Sequence, residues 1–312
     1  MLGDVGMRAR ELLMYLGLCP LLIGASEPVR FQPSSQWVLD YYADDSCRLI
    51  RQFGEGKDQV KLTFESVAPG GMTLLVLGGT LRRTINAKPI NAKFLPDGGI
   101  GFGGRTALTE GGNKAAAFWL NVPFAPVGKG DDERLIDKKT RAAAKERSTI
   151  DPVESATEKA ERATFAKNTT GLSIAQPGAR AMILETGSLG KALRMFDECE
   201  RDLLRQWGVD PDQQDQIVKP VWAPSMTAWF SSSDYPNEML RQKAESDVSV
   251  RLVIDAAGKV IKCAAVSAYV APEFNKVVCN VYLTRAKFAP AELANGTKVV
   301  SYLGERIRFR MP

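Results

Sequence analysis

The sequence contains no histidine among its 312 residues. This absence excludes Ser-His-Asp and Cys-His nucleophile systems, HExxH zinc sites and proton relays built on imidazole. Basic blocks are also missing, and the net charge is only +5. Nucleic-acid binding usually needs a concentrated basic face, so no nucleic-acid partner is predicted. We predict neither a metal nor a cofactor for this chain.

The sequence has no apolar run long enough for a comfortable membrane span of about 20 residues. Its longest run, LLMYLGLCPLLIGA at 12–25, has roughly fourteen residues, follows Arg8 and Arg10, and leads into small and polar residues. This pattern is typical of a signal peptide, here residues 1–26, and predicts export to the periplasm. An uncleaved anchor in the inner membrane is the alternative.

Cysteine is scarce, with 5 residues in the chain. Removal of the signal peptide would remove Cys19 and leave an even number, which is typical of a disulfide framework in an exported protein. Two disulfides among Cys47, Cys199, Cys263 and Cys279 allow three connectivities.

Residues 30–207 are predicted to form a mainly antiparallel β domain. Segments such as QVKLTFESV (59–67) and MTLLVLGG (72–79) are short, rich in apolar, β-prone residues, and separated by turn-forming residues. Residues 131–165 mix charges of both signs with few large apolar groups. This composition indicates a solvated helical excursion within the domain.

A helix is predicted at the end of this domain, in SLGKALRMFDECERDLLRQWG (188–208). Gly208 is a typical helix-ending residue, and one face carries apolar residues at helical spacing. These residues are Leu189, Leu193, Phe196, Cys199, Leu203 and Trp207. Cys199 therefore points into the core, and its natural partner is Cys47 on a predicted strand. A disulfide closing a loop of about 150 residues would contribute roughly 5 kcal/mol in the chain-entropy model.

Residues 208–233 are rich in Pro, Gln and Ser and are predicted to be a linker to a second domain at 234–312. Trp207, Trp222 and Trp229 bracket this linker. They are candidates for docking the two domains together.

The second domain is predicted to be a small αββαβ unit. A short helix at 236–245 precedes the hairpin DVSVRLVIDAAGKVIKCAAVSAY (247–269), and a helix at 271–288 and a closing strand at 296–312 follow. Side chains that point to one side of these elements are Val248, Val250, Leu252 and Ile254 in the hairpin, and Phe274, Val278, Val281 and Tyr282 in the helix. The predicted fold class is α+β, with helices on one face of a three-stranded antiparallel sheet.

Four ordered stretches of this unit resemble the C-terminal domain of TonB-family proteins. They are DYP (234–236), VSVRLVIDAAGKV (248–260), the helix end RAKFAPA (285–291) and the terminal VSYLGERIRFRMP (300–312). The resemblance covers about the last quarter of the chain. It implies a variant in which a disulfide between Cys263 and Cys279 staples hairpin to helix, worth roughly 3 kcal/mol for a loop of about 15 residues.

The resemblance implies a non-catalytic, protein-binding role. TonB domains add an N-terminal segment of an outer-membrane transporter as a strand at the sheet edge, where main-chain hydrogen bonds supply affinity. The corresponding edge is the terminal strand, and the predicted partner is such a transporter or another envelope protein. Ser301, Leu303 and Glu305 would flank the guest strand. The full set of partner-binding residues is Val299, Ser301, Leu303, Glu305, Ile307 and Phe309.

An alternative for this edge stays open. Arg306, Arg308 and Arg310 could merely blunt it against aggregation, which would leave a structural envelope protein that binds no transporter. The sequence also lacks the histidine-bearing anchor and the long Pro-rich rod of energy-transducing TonB proteins. A periplasmic protein that uses a TonB-like binding module therefore fits better than a transducer of force.

A hydrolase is the remaining alternative. SLGK places Ser188 and Lys191 in the Ser-x-x-Lys pattern of some acyl-transfer enzymes. Those enzymes also need a Lys-Thr-Gly element, which the sequence lacks. Ser188 as a helix cap is the simpler interpretation, and no catalytic residue is predicted.

Overall fold

The computed structural model of this chain describes residues 27–42, 46–69, 71–79, 81, 90–96, 102–108, 115–119, 122, 149–150, 156–175, 180–223, 225, 228–265 and 271–311. The predicted signal peptide, residues 1–26, and most of the predicted helical excursion lie outside these residues.

Eleven described strands precede residue 185. They are β1 (Val29–Phe31), β2 (Val38–Tyr42), β3 (Ser46–Phe53), β4 (Val60–Ala68), β5 (Gly71–Gly78), β6 (Ile90–Leu95), β7 (Phe102–Leu108), β8 (Ala115–Trp119), β9 (Thr149–Ile150), β10 (Gly171–Ala175) and β11 (Met182–Leu184). All of these described strands except β9 form one sheet, in the order β1-β11-β10-β6-β7-β8-β5-β4-β3-β2. Neighbouring strands are antiparallel except β1 and β11, which run parallel. The predicted mainly antiparallel architecture is confirmed.

Alternation along the strands explains why this sheet has a buried and a solvated side. In β6, Ile90, Ala92 and Phe94 are buried, whereas Asn91 and Lys93 are exposed. Successive strand residues point to opposite faces, so an antiparallel strand with one face on the core reads apolar and polar in turn. The buried face of this sheet supplies most of the N-terminal core.

Two helices cover the buried face, α1 (Ala156–Asn168) and α2 (Gly190–Trp207). The predicted apolar face of α2 is confirmed, because Leu193, Phe196 and Leu203 are all nearly inaccessible. Gly208 follows the last helical residue with a φ of 81°, and its N–H bonds back to Arg205 and Leu204. A left-handed residue at this position is the usual helix stop, and glycine adopts it without a Cβ penalty.

The N-terminal disulfide joins the helix to the sheet. Cys47 of β3 and Cys199 of α2 are bonded, with their Cα atoms 6.0 Å apart, and both are fully buried. This is the pairing expected from the apolar face of the helix. Sheet and helix are thereby fixed to each other across the core.

The rest of the chain adds further described elements. They are α3 (Pro211–Gln214), β12 (Ile217–Lys219), α4 (Asn237–Arg241), β13 (Ser246–Ile254), β14 (Val260–Ala265), α5 (Pro272–Arg285), β15 (Ala291–Leu293), β16 (Lys298–Val299) and β17 (Ser301–Phe309). Among the described residues, β13, β14 and β17 form a sheet with β9, in the order β14-β13-β17-β9. The strands β12, β15 and β16 form a second, small sheet in the order β12-β15-β16. The predicted α+β class is confirmed. The segment predicted as a linker carries α3 and β12, and β12 pairs with β15.

The C-terminal core lies between α5 and the sheet. All eight side chains predicted to point to one side of the hairpin and helix are buried. The second disulfide, between Cys263 of β14 and Cys279 of α5, spans 5.4 Å between Cα atoms and joins the same two layers. The two disulfides predicted from the cysteine count are therefore both present.

The two units meet at the C-terminal end of α2. Trp207 is buried there, with the guanidinium of Arg251 3.6 Å from its ring centroid and the ring of Tyr302 edge-on at 6.2 Å. The side chain of Gln214 donates to the carbonyl of Val300 at 3.0 Å and accepts from the hydroxyl of Ser301 at 2.6 Å. Val253 and Tyr302, on the face of the C-terminal sheet opposite α5, join the core of the N-terminal unit, which therefore covers that face.

The prediction for the three tryptophans is correct only for Trp207. Trp229 packs inside the C-terminal unit, against Tyr282 and Phe288. Trp222 keeps 60% of its surface exposed, and its backbone bonds to Ala289 of the same unit. Trp207 belongs to α2, whose apolar face packs on the N-terminal core. Trp222 and Trp229 lie in the segment after α2, which packs on the C-terminal unit.

Gly258 in the β13–β14 turn gives a first stability prediction. Its φ is +82°, and a Cβ there would lie 1.9 Å from the carbonyl oxygen of Phe288. Gly258→Ala is expected to lower the free energy of unfolding by roughly 3 kcal/mol, because the backbone conformation and the clash both cost energy. Urea unfolding of the variant checks this value.

Gly296 supplies the matched control for that variant. Its φ is +83°, but no atom lies within 4 Å of the added Cβ. Gly296→Ala should therefore cost only about 1 kcal/mol, from the left-handed conformation alone. Equal losses in the two variants would contradict the steric account.

Candidate partner-binding edge

The terminal strand β17 is the candidate site. Its inner side pairs with β13 along its whole length, from Ser301 opposite Ile254 to Phe309 opposite Ser246. On its outer side, pairing among the described residues is limited to β9, through Gly304 with Ile150 and Glu305 with Thr149. The outer side therefore carries a two-residue antiparallel strand supplied by a distant part of the same chain.

The side chains predicted to bind a partner lie in the C-terminal core. Leu303, Ile307 and Phe309 pack in the cluster around α5 with Val299, and none is more than 7% exposed. Ser301 is fully buried on Gln214, and Glu305 is 4% exposed. Alternate residues of a strand share one face, and here that face is covered by α5 along most of its length and by Gln214 at Ser301. What β17 offers to a guest strand at these positions is its main chain.

The other face of β17 changes along the strand. Tyr302 is buried against the N-terminal unit, where its hydroxyl donates to the carbonyl of Pro69 at 3.3 Å. Arg306 is half-buried, and Arg308 is exposed. Beyond the strand, Arg310 pairs with Asp247 at 2.7 Å. The three arginines thus lie in the second half of β17 and just beyond its end.

Buried polar groups lie on the helix side of this strand. Burial and, after it, the negative charge of Glu305 raise the pKa of the Tyr282 phenol above its ordinary value. The phenol therefore stays protonated across the physiological range. This polar pair lies in the core rather than at the surface of the edge.

An ion pair fixes the DYP stretch to the end of α5. Asp234 accepts from Arg285 at 2.8 Å and from the backbone N–H of Ser231 at 2.8 Å. The hydrogen bond from Arg285, with help from Ser231, lowers the pKa of the Asp234 carboxyl. The ring of Tyr235 packs edge-on against Phe274 and Phe309, so this stretch closes one end of the core.

The candidate hydrolase residues form no catalytic arrangement among the described residues. Ser188 is exposed, and its hydroxyl accepts from the N–H of Gly190 at 3.4 Å. Lys191 is exposed one position into the helix. Leu189 rather than Ser188 occupies the cap position of α2. The Ser-x-x-Lys pattern coincides with a helix start.

The described part of the chain offers neither a metal site nor a membrane-spanning helix. No group of three or more His, Cys, Asp or Glu side chains there could hold a metal ion. None of its helices has the length and apolar content to cross a bilayer.

Sequence reasoning missed β9. Thr149 and Ile150 are adjacent β-branched residues in a stretch that is otherwise charged and rich in alanine. β-branched residues favour strands, but two of them give a weak signal. What makes these two residues a strand is their pairing with the outer side of β17, which lies far away in the sequence.

Comparisons with family models, with curated proteins and with solved structures find no match to this chain.

Proposed function

We propose that this chain is an exported, non-catalytic protein whose C-terminal unit binds a partner by strand addition at the outer side of β17. The partner is a segment of an envelope protein, with the N-terminal segment of an outer-membrane transporter as the leading candidate. The four sequence landmarks that resemble TonB C-terminal domains support this proposal. Two disulfides are compatible with an oxidising compartment such as the periplasm.

One observation carries the proposal. The outer side of β17 accepts Thr149 and Ile150 as an antiparallel strand, although these residues lie about 150 positions away in the sequence. An edge that pairs with such a segment has main-chain geometry suited to a guest strand. The neighbouring core fixes the edge, because Leu303, Ile307 and Phe309 of β17 pack in the cluster around α5. A guest would therefore meet a preorganised strand.

Titration of the exported chain with synthetic transporter N-terminal peptides tests the proposal. Each main-chain hydrogen bond contributes about 1 kcal/mol net, so a guest of about five residues should bind with a dissociation constant of roughly 10 μM to 1 mM. Amide NMR shifts should concentrate on 301–309.

Peptides with proline at alternate positions are the control, since proline removes the donors that strand pairing needs. They should produce no shifts in β17. If none of the parent peptides shifts this strand at millimolar concentration, a structural envelope role without transporter binding becomes the better account.

A further inference from the structure

The C-terminal sheet has a second edge, at β14. Among the described residues the strand order β14-β13-β17-β9 leaves the outer side of β14 without a partner strand. A cavity of about 340 Å³ lies beside it, and the four consecutive residues from Ile261 to Ala264 all line it. Successive side chains point to opposite faces. A cavity that touches four in a row therefore runs along the edge of the strand.

The walls of this cavity differ on the two faces of β14. On one face, Lys262 donates from Nζ to the carbonyl of Trp207 at 2.9 Å, and the stacked pair of Trp207 and Arg251 continues the wall. On the other face, Cys263 is tied to α5, which contributes Leu283. One wall is thus cationic and aromatic, and the other is apolar.

Apolar surface is exposed at this groove. Ile261 is 46% exposed and Leu283 is 41% exposed, and both line the cavity. Large apolar side chains that lie together at a cleft are typical of binding sites. Covering them would remove apolar surface from water.

The charge of the lining indicates the kind of partner. Lys262 is cationic and exposed, and none of the described residues that line the cavity is Asp or Glu. Complementary charge selects partners and steers their association.

We infer that the outer edge of β14 is a docking site for an extended acidic–apolar segment of another protein, added as a strand. The carboxylates of this segment lie on the face of β14 that carries Lys262. Its intervening apolar residues cover Ile261 and Leu283. The site lies on the opposite edge of the sheet from β17 and does not depend on binding there.

A single peptide tests this site on the exported chain. The probe is the acetylated and amidated peptide Thr-Val-Asp-Val-Asp-Leu-Thr, and its counterpart carries Lys in place of both Asp residues. We expect amide shifts at Ile261–Ala264 and an affinity for the acidic peptide at least about tenfold above that of the lysine peptide. Higher salt should narrow this difference, because screening weakens exposed charge pairs.

Ile261→Glu places a like charge in the groove and should weaken binding of the acidic peptide about tenfold or more. Val218→Glu is the matched control, since Val218 is also exposed, at 57%, and lies on β12. That variant should bind as the parent does. An unchanged amide spectrum elsewhere verifies that each variant is folded.

Three outcomes would overturn the inference. One is the absence of shifts at Ile261–Ala264 at millimolar peptide. Another is an equal response to the acidic and the lysine peptides. The third is a response confined to 301–309, which would support the β17 proposal while removing this one.

Discussion

Replacing both Cys47 and Cys199 by alanine is expected to lower the free energy of unfolding of the N-terminal unit by about 5 kcal/mol. The two cysteines are 152 positions apart, so their bond closes a large loop and lowers the conformational entropy of the unfolded chain. Loss of the bond also removes the covalent tie between β3 and α2. Urea unfolding of the oxidised parent and the variant, followed by tryptophan fluorescence, measures the difference.

The second disulfide is the matched control for this experiment. Cys263 and Cys279 are only 16 positions apart, and the same chain-entropy model gives about 3 kcal/mol for a loop of that length. The two double-alanine variants should therefore differ by about 2 kcal/mol. Equal losses would show that loop length does not govern the stabilisation, and that native packing around the sulfur atoms does.

Local patterns were sufficient to predict the elements that bury one continuous face. The apolar face of α2 ends at Gly208, and both the face and the stop are as predicted. The β13–β14 hairpin is equally local, because Gly258 closes its turn and alternate residues of β13 point inward. In each case the periodicity of neighbouring residues and one glycine determine the structure.

Long-range placements could not be predicted in this way. The parallel pairing of β1 with β11 joins residues about 150 positions apart, and nothing in either three-residue strand specifies the other. The stacking of Arg251 on Trp207 likewise depends on how two units meet. Such contacts follow from the shapes of finished surfaces, which periodicity does not encode.

The binding edge illustrates the same limit. Ser301, Leu303 and Glu305 were predicted to flank a guest strand. The sequence of the strand alone does not reveal which of its two faces is buried, so the burial of these side chains could not be foreseen. In the folded chain all three side chains are buried, so only the main chain of β17 is left for pairing at these positions. The sequence also gave no means of knowing that β9 would occupy part of the edge.

The pairing of β9 with the outer side of β17 leads to a prediction about peptide binding. A covalent link between β9 and β17 should abolish binding of transporter peptides at the outer side of β17, because a guest strand needs the main-chain groups that β9 uses. Ile150 lies opposite Gly304 in the antiparallel register. Paired residues of antiparallel strands have Cα atoms about 4.5–5.5 Å apart, which is within the range that a disulfide spans. Ile150→Cys combined with Gly304→Cys should therefore form the link, and peptide titration by NMR measures its effect.

The two single-cysteine variants separate the link from the substitutions. Neither can form the link, so each should bind as the parent does, and peptide mapping must locate the new bond and both native disulfides in the double variant. Thr149→Pro with Ile150→Pro provides the opposite change, since proline removes the donors of β9. Only one of two adjacent antiparallel positions donates its N–H to the partner strand, so the proline variant loses one hydrogen bond worth about 1 kcal/mol, and transporter peptides should bind it roughly 5-fold more tightly than the parent. Full binding by the linked protein would mean that guests do not use this edge, and that β9 is a permanent fourth strand of the sheet.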